Sequence, residues 1–588
     1  MAEPLVPATL ELADGTPYSR GFGDVYHSVD GALGQARHVF LAGNGLPERW
    51  RARERFVIFE AGFGLGLNFL ATLQAWQRDP GGRLHYVAVE KHPFSVQDLR
   101  TLHARFPELE TQAALLHSHW PLLVPGGHRA ELEPGVVLTL FFGDVRIVRD
   151  LRLAADAFYL DGFNPAKNPD MWSHQTLRAL ARLAAPGATA ATWSVAAAVK
   201  DALQATGFAT EKRPGFGTKR EMLAAVYHGP SKPRAKPRER RATVVGAGIA
   251  GAAVCERLCA RGWEVTLVER HPAPAQEASG NLAGAFHPIV TPDDSVFARL
   301  TRAAFLHARS RFSRLANLRW DPCGVLQLAR DAREAQSQQA SVAALGLPAA
   351  YAAQVTREEA SRHAGVPVAA GGLWFPHGGW VRPGSLADAL LDACGDRLKR
   401  VFSTDVAKPE GPNPVLATAD DALHPVPRAS LRRVRGQLTY VPAELLEAPK
   451  VVLLRGGMVL PPVDGTCVVG ASFDIDDYDP LLRASSHGGN LERLARILPA
   501  ADIPVDGLGG RVAFRTVARD RLPLAGEIAE GVQGLLALGS RGLIWAPLGA
   551  ELIASALEGE PLPLEGSLVD ALDPRRFATR AAARGLLP

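Results

Sequence analysis

The chain has 588 residues, 47% of them hydrophobic, and a formal net charge of +4; this is longer than one core usually supports, and the mild positive balance permits an anionic partner without demanding one. Its five cysteines are scattered, only Cys255 and Cys259 being close, which excludes a disulfide framework and CxxC metal spacing and favours a reducing cytoplasm. The opening residues lack a basic segment followed by an apolar core, and no apolar run approaches a membrane span, so an untargeted, soluble monomer is expected.

The first strong pattern is RFVIFEAGFGLGLNFL, Arg55 to Leu70. An apolar strand enters a glycine loop with Glu60, Gly62, Gly64 and Gly66 at E-x-G-x-G-x-G spacing, followed by Asn68; the next strand, LHYVAVE, ends at Glu90. Such a loop suits an adenosyl sulfonium with its amino-acid tail, and Glu90 is placed for ribose hydroxyls. The pattern resembles class I S-adenosylmethionine methyltransferases, in which the acid after the following strand, here Asp144 in VVLTLFFGDV, lies near the adenine amino group. The competing reading is that these acids only cap helices. The strand AFYLDGF then ends in DGFNPAKNPDMW, Asp161 to Trp172. Ligands of doubly wound sheets bind at the carboxyl ends of strands, which places Asp161 beside the transferred methyl group. An amine attacks through its free lone pair, so a carboxylate there would accept its proton or orient it. Phe163 is available to stack on a base while Asn164, Pro165 and Lys167 hold the loop; the alternative is an Asx turn stiffened by prolines, and Trp172 reads as core.

The runs GDVYHS, HVFLAGNGLPERW, EAGFGLGLNFL, VEKHPFS, LDGFNPAKNPDMW and GFGTKREML together resemble the methyltransferase half of the bifunctional tRNA 5-methylaminomethyl-2-thiouridine biosynthesis family, MnmC. A methyltransferase domain over residues 1–228 follows, with Asp161 catalytic and Glu60, Gly62, Gly64, Gly66, Asn68, Glu90 and Asp144 around S-adenosylmethionine.

Residues 229–241, GPSKPRAKPRERR, alternate proline with Lys232, Arg234, Lys236, Arg238, Arg240 and Arg241 and read as a semi-extended basic linker, with phosphate contacts the less favoured role. After it, VVGAGIAG places Gly246, Gly248 and Gly251 at G-x-G-x-x-G spacing between a strand and a helix, and the second strand ends in Glu269. This is a dinucleotide-binding βαβ unit, with the pyrophosphate at the helix N-terminus and Glu269 on the adenosine ribose. The run ASGNLAGAFHP puts Ser279, Gly280 and Asn281 where FAD-dependent amine oxidases line the flavin. Residues 242–588 are expected to form one FAD module, its substrate lobe lying mainly within about 297–525. Near the end, LLALGSRGLIWAP delivers a glycine turn, Gly539 to Gly542, into a helix facing the flavin. Arg515 and Arg541 match the arginines with which glycine-oxidase-like enzymes hold a substrate carboxylate; a surface position is the alternative for each. Arg511, Arg519 and Arg521 are left between solvation and RNA phosphates. No second nucleotide fingerprint follows, which favours reoxidation by oxygen, and no metal-ligand spacing appears.

The expected architecture is therefore α/β: a Rossmann-like class I methyltransferase domain, then an FAD-binding Rossmann domain interleaved with a substrate β-sheet lobe. The family resemblance implies that tRNA is the partner. The FAD half would remove the carboxymethyl group from 5-carboxymethylaminomethyl uridine at the anticodon wobble position, and the other half would methylate the amine exposed. Two rivals stay open: an oxidase and methyltransferase pair for free glycine-like amines, and an oxidase whose first domain only docks RNA.

Overall fold

The computed structural model describes residues 3–28, 30–230, 239–419, 423, 426–427 and 430–577. The linker cations Lys232, Arg234, Lys236 and Arg238 lie outside the described residues, whereas Arg240 and Arg241 are exposed and Arg241 opens a strand. The chain separates into two compact units, one of Pro4–Lys236 with Glu558–Gly566, the other of Pro237–Leu557 with the chain from Ser567 onward. The short segment Glu558–Gly566 thus groups with the first unit, where Leu562 N–H donates to Arg152 O at 3.1 Å and Glu560 lies 3.5 Å from the buried His85 ring.

The first unit is built on β1 (Arg55–Ala61), α1 (Leu67–Arg78), β2 (Arg83–Glu90), β3 (Gly126–Glu133), β4 (Val136–Phe142), β5 (Ala155–Leu160), β6 (Ala184–Thr192), β7 (Phe208–Pro214) and β8 (Glu221–Tyr227). Among the described residues these form an eight-stranded sheet in the order β7-β8-β6-β5-β1-β2-β4-β3. From β6 to β4 the neighbours are parallel, and both edges are closed by antiparallel strands. β1 is central, which explains its unbroken apolar run: a strand covered on both faces cannot alternate polar with apolar residues. Phe56 and Ile58 join one core cluster while Val57 and Phe59 join another, so alternate side chains feed the two layers. Each such buried side chain contributes about 1.5–3 kcal/mol relative to exposure.

The second unit opens with β9 (Arg241–Val245), α2 (Ile249–Cys259) and β10 (Glu264–Val268). It continues through β11 (Leu398–Val401), β12 (Val415–Leu416), β13 (Leu431–Pro442), β14 (Gly509–Ala518), β15 (Leu524–Ala529), β16 (Val532–Leu536) and α3 (Gly542–Glu558). Among the described residues, the six-stranded sheet β11-β10-β9-β12-β16-β15 is parallel apart from its last pair, and a nine-stranded sheet is organised around the antiparallel pair β13 and β14. The chain crosses between the two sheets more than once, since β11 and β12 return to the nucleotide sheet in the middle of the expected substrate lobe. Every residue of α2 is buried, Cys255 and Cys259 included, so those thiols are packing groups of a helix clasped between layers. α3 is tied to α2's end by Glu551, which accepts from the Arg261 guanidinium at 2.8 Å, both groups being buried. Among the described residues no helix is long and apolar enough to cross a membrane.

Candidate active sites

In the first unit a cavity of about 240 Å³ opens at the carboxyl ends of β1, β2, β4 and β5. Of the expected residues, Gly62, Gly64, Asn68, Glu90, Asp144 and Asp161 line it. Gly62 has φ +89° and brings its backbone so near the end of β5 that a Cβ would lie 2.1 Å from the Asp161 carbonyl oxygen. A glycine is required there on both counts. Glu90 accepts N–H bonds from Gly64 and His92, each at 2.7 Å, which fixes the carboxylate across the glycine loop. For Asp144, burial works against the charge, but the Arg146 backbone and guanidinium N–H groups, together with Lys91 at 3.1 Å, outweigh it and hold the carboxyl down to about 2.

Glu60 and Gly66 do not reach this wall. Gly66 caps the start of α1, and Glu60 is fully buried beneath the loop, where the Asn68 amide donates to it at 2.8 Å and the Tyr86 hydroxyl at 2.8 Å. Burial and then the nearby Asp161 charge push the Glu60 carboxyl well above the usual range. The Asn68 amide also donates to Asp161 at 2.7 Å, so one side chain joins the hidden acid to the one at the cavity. Asp161 itself is raised to about 7, chiefly by burial, with the Asn68 hydrogen bond opposing and the Glu90 charge adding to the rise. A carboxyl poised near neutrality takes up or gives up a proton at working pH.

The loop after Asp161 is held as an Asx turn, Asn164 Oδ1 accepting from Ala166 N–H at 3.0 Å. It is also pinned by the N-terminal hairpin, which sequence reasoning did not connect to the site: Asp24 accepts from Asn164 N–H at 2.9 Å, and Lys167 contacts Asp24 and the Gly23 carbonyl. Phe163 stacks on Phe22, ring centroids 4.6 Å apart, and meets Tyr26 edge-on at 5.1 Å; all three line the cavity. Trp172 is buried and donates to Phe163 O at 2.9 Å, as a core residue. The run GDVYHS, which holds Asp24 and Tyr26, was the available sign.

In the second unit a larger cavity, about 750 Å³, is lined by Gly246, Gly248, Glu269, Ser279, Asn281, Gly539, Gly542, Arg515 and Arg541. Gly251 and Gly280 stand behind this wall. A Cβ on Gly251 would lie 1.8 Å from Gly246 O, so α2 packs on its own loop only through a bare backbone. Gly280 lies against Arg511, whose guanidinium donates to the carbonyls of Gln276 and Glu277 at 2.8 and 2.9 Å; Arg511 is a clamp on the Ser279 loop. Glu269 accepts from Ala247 N–H at 2.6 Å and His271 N–H at 2.9 Å, and Ser279 Oγ accepts from Ile249 N–H at 3.1 Å. Asn281 Oδ1 is buried and has no hydrogen-bond partner among the described residues, as expected of a group whose partner is a ligand. The residues present fit a bound dinucleotide: a bare glycine turn opens onto the N-terminus of α2, with an acid at the end of β10.

Burial drives both predicted arginines down from their ordinary values, Arg541 to about 10, yet both remain cations at neutral pH. Arg515 donates to Ser472 O at 3.0 Å, and a Cβ on Gly436 of β13 would lie 2.2 Å from its guanidinium. Gly436 therefore makes the room Arg515 occupies, a role signalled only by a glycine inside a strand. Arg541 lies 3.4 Å from His287 Nε2 and donates to His287 O at 3.3 Å. His287 Nδ1–H donates to Pro288 O at 2.8 Å, leaving Nε2 as acceptor, and burial with the Arg541 charge pushes the imidazole down to about 3. A neutral histidine thus orients the guanidinium without repelling it. Among the described residues no cluster of histidine, cysteine and acids is built to hold a metal.

Two family models match: an FAD dependent oxidoreductase over residues 241–556 and an S-adenosyl-L-methionine-dependent methyltransferase over residues 107–228. The bifunctional protein MnmC of Azoarcus sp. (strain BH72), named for tRNA 5-methylaminomethyl-2-thiouridine biosynthesis, is 48% identical, covering 98% of this chain and 99% of that one. The protein of the same name from Burkholderia multivorans (strain ATCC 17616 / 249) is 47% identical over 99% of this chain and 98% of its own. Among solved structures, glycine oxidase from Geobacillus kaustophilus is 20% identical with a TM-score of 0.48, covering 57% of this chain and 99% of its own. L-proline dehydrogenase from P. horikoshii is 16% identical with a TM-score of 0.49, covering 59% of this chain and 99% of its own. The methyltransferase donor is S-adenosylmethionine and the oxidoreductase cofactor is FAD. With both halves matched and relatives aligned end to end, the chain belongs to the family of bifunctional tRNA 5-methylaminomethyl-2-thiouridine biosynthesis proteins, MnmC.

Proposed function

We propose that this protein modifies the wobble uridine of tRNA in two consecutive steps. The oxidoreductase acts on 5-carboxymethylaminomethyl uridine: oxidation of the C–N bond of its carboxymethyl group and hydrolysis of the resulting imine release glyoxylate and leave an aminomethyl uridine. The methyltransferase then transfers the sulfonium methyl of S-adenosylmethionine to that amine. The order is set by chemistry, because the acceptor amine of the second step is the product of the first. The observation that carries the reading is the pair of cavities of opposite charge, one walled by Glu90, Asp144 and Asp161, the other by Arg515 and Arg541.

Bound FAD supplies the two-electron acceptor. Gly246, Gly248, Glu269, Ser279, Asn281, Gly539 and Gly542 would hold it, with Gly251 and Gly280 keeping the loops close-packed behind. Arg515 and Arg541 bind the carboxylate of the carboxymethyl group, and their burial raises the strength of each contact. In the first unit Glu90 and Asp144 bind the ribose and adenine ends of the donor, and Glu60 acts from below through Asn68. Asp161, poised near neutral, accepts the proton that the attacking ammonium must lose. We favour a monomer, and tRNA as substrate supports a cytoplasmic protein. The domain limits we favour remain 1–228, a linker over 229–241, and 242–588, with Glu558–Gly566 docked on the first.

The test is mass spectrometry of nucleosides from tRNA carrying the carboxymethylaminomethyl uridine, after incubation with and without S-adenosylmethionine. Aminomethyl uridine without the donor and methylaminomethyl uridine with it are the expected products. An unchanged tRNA from protein that holds FAD would overturn the reading and turn attention to free glycine-like amines.

A further inference from the structure

Close to the oxidase cavity the chain turns aromatic side chains toward solvent. The segment from Ser472 to Arg483 exposes Phe473 (53%), Ile475, Tyr478 (61%), Leu481 and Leu482. Large apolar groups gathered on a surface mark an interaction site. The segment is firmly held: Arg435, fully buried on β13, donates to the carbonyls of Asp479 at 2.8 Å and Leu481 at 2.5 Å. Its acids are all ion-paired, Asp474 with Arg435, Asp476 with Arg432, and Asp477 and Asp479 sharing Arg483. With those charges offset locally, the segment presents rigid π faces and no strong field of its own.

Phe514 of β14 and Arg433 of β13 both line the cavity, and the Arg433 guanidinium lies 4.3 Å from the Phe514 ring centroid and 5.4 Å from that of Tyr478. Arg515, on the opposite face of the β13–β14 pair, lies 5.7 Å from the Phe473 ring. A ladder of ring, guanidinium and ring thus runs from the cavity wall outward and ends on an open tyrosine. The group that extends such a ladder is another flat π system, and unpaired bases of RNA are bound in this manner, on aromatic rings and arginine planes.

We propose that Tyr478 forms a stacking platform for an unpaired base of the anticodon loop while the modified side chain of the uridine enters the cavity toward Arg515 and Arg541. This rests on the functional reading above. The platform binds substrate and takes no part in bond making, so its loss acts on KM and spares kcat.

The experiment uses full-length, FAD-loaded protein and tRNA bearing the carboxymethylaminomethyl uridine. Tyr478→Ala is expected to raise KM about tenfold, a stacking contact being worth on the order of a tenfold change or more in binding, with kcat within about twofold of wild type. Tyr478→Phe restores it. Because no phosphate contact is lost, the slope of log KM against log salt stays that of wild type, a readout that general loosening of the fold would not preserve. Wild-type turnover of this tRNA with an unchanged KM in Tyr478→Ala overturns the platform alone, as does a Phe variant as weak as the Ala variant. A wild-type dimer in sedimentation that Tyr478→Ala dissociates assigns the surface to a second copy and also overturns it. Failure of the wild-type protein to oxidise this tRNA at all removes the functional reading and the platform together.

Discussion

The two cavities share a plan and differ in sign. In each, a parallel strand runs into a glycine loop and then a helix, and the next strand ends in an acid that accepts backbone N–H bonds from the loop: Glu90 from Gly64 in one, Glu269 from Ala247 in the other. Beyond that common nucleotide frame, one wall is acidic and the other basic. In the proposed reading Asp161 stands where a sulfonium and an ammonium are brought together, and Arg515 and Arg541 stand where a carboxylate is held. The glycine frame recognises what the two ligands have in common, an adenosine, and the charge of the remaining wall selects the chemistry.

The largest expected effect comes from removing that charge in the acidic cavity. Asp161→Asn keeps the shape and the place of the Asn68 partner but cannot accept a proton, and methyl transfer to aminomethyl tRNA should fall by about 10²–10⁴-fold with oxidation of the carboxymethylaminomethyl form unchanged. Single-turnover assays of the two steps read this directly; equal loss in both would show that Asp161 supports structure and not chemistry. In wild type, methylation should rise through a midpoint near 7 as Asp161 ionises and then level off. The mirror experiment is Arg515→Ala. Truncating one member of a buried ionic contact costs about 2–5 kcal/mol, so kcat/KM for oxidation should drop about 30-fold to several thousand-fold while methylation persists. Flavin absorbance unchanged in the variant would locate the loss in substrate binding, and an unchanged kcat/KM would sink the assignment.

What the residues disclosed beforehand follows the same division. The strand, glycine loop and acid are local in sequence, so the loop glycines, Glu90, Asp144, Glu269 and Asp161 were legible as motifs, as was the α/β class of both halves. Contacts across the fold were not. Glu60 belongs to its motif by spacing, yet one residue of strand pleat turns it into the core, onto Tyr86 and Asn68. His287 stands in the run ASGNLAGAFHP with no role legible there, because its meaning depends on Arg541, 254 positions away. Gly436 and Arg511 gain theirs from neighbours on other strands and loops. The hairpin with Asp24 closes one side of the methyl-transfer cavity through a contact 140 positions long, which no local pattern announces.

A smaller effect tests the shared frame. Gly251→Ala would set a Cβ 1.8 Å from Gly246 O, against backbone that cannot swing aside. Overpacking of this kind costs about 1–3 kcal/mol, which should weaken FAD retention roughly tenfold. Flavin content after gel filtration is the measure, and methylation activity, built on the other glycine loop, should be untouched. Full flavin occupancy at unchanged affinity would show that the βαβ unit does not depend on this close approach.

The smallest change is aimed at the bridge beneath the acidic wall. Asn68 donates one amide hydrogen to Glu60 and the other to Asp161, and each bond favours the carboxylate that receives it. Replacing Asn68 with Ala removes a donor from the Asp161 anion, so its proton is held to higher pH. A hydrogen bond to a charged group is worth about 1.5–3 kcal/mol, part of which water entering the gap would replace, so the midpoint of the methylation profile should move up by about one unit from its value near 7. Below that midpoint the variant loses about tenfold in rate; above it the two proteins converge, because the base is then ionised in both. The pH profile at saturating donor separates this from simple damage, which would lower the rate by the same factor at every pH. A midpoint that stays or falls would mean that Asn68 serves the donor's binding and leaves the proton on Asp161 to burial alone.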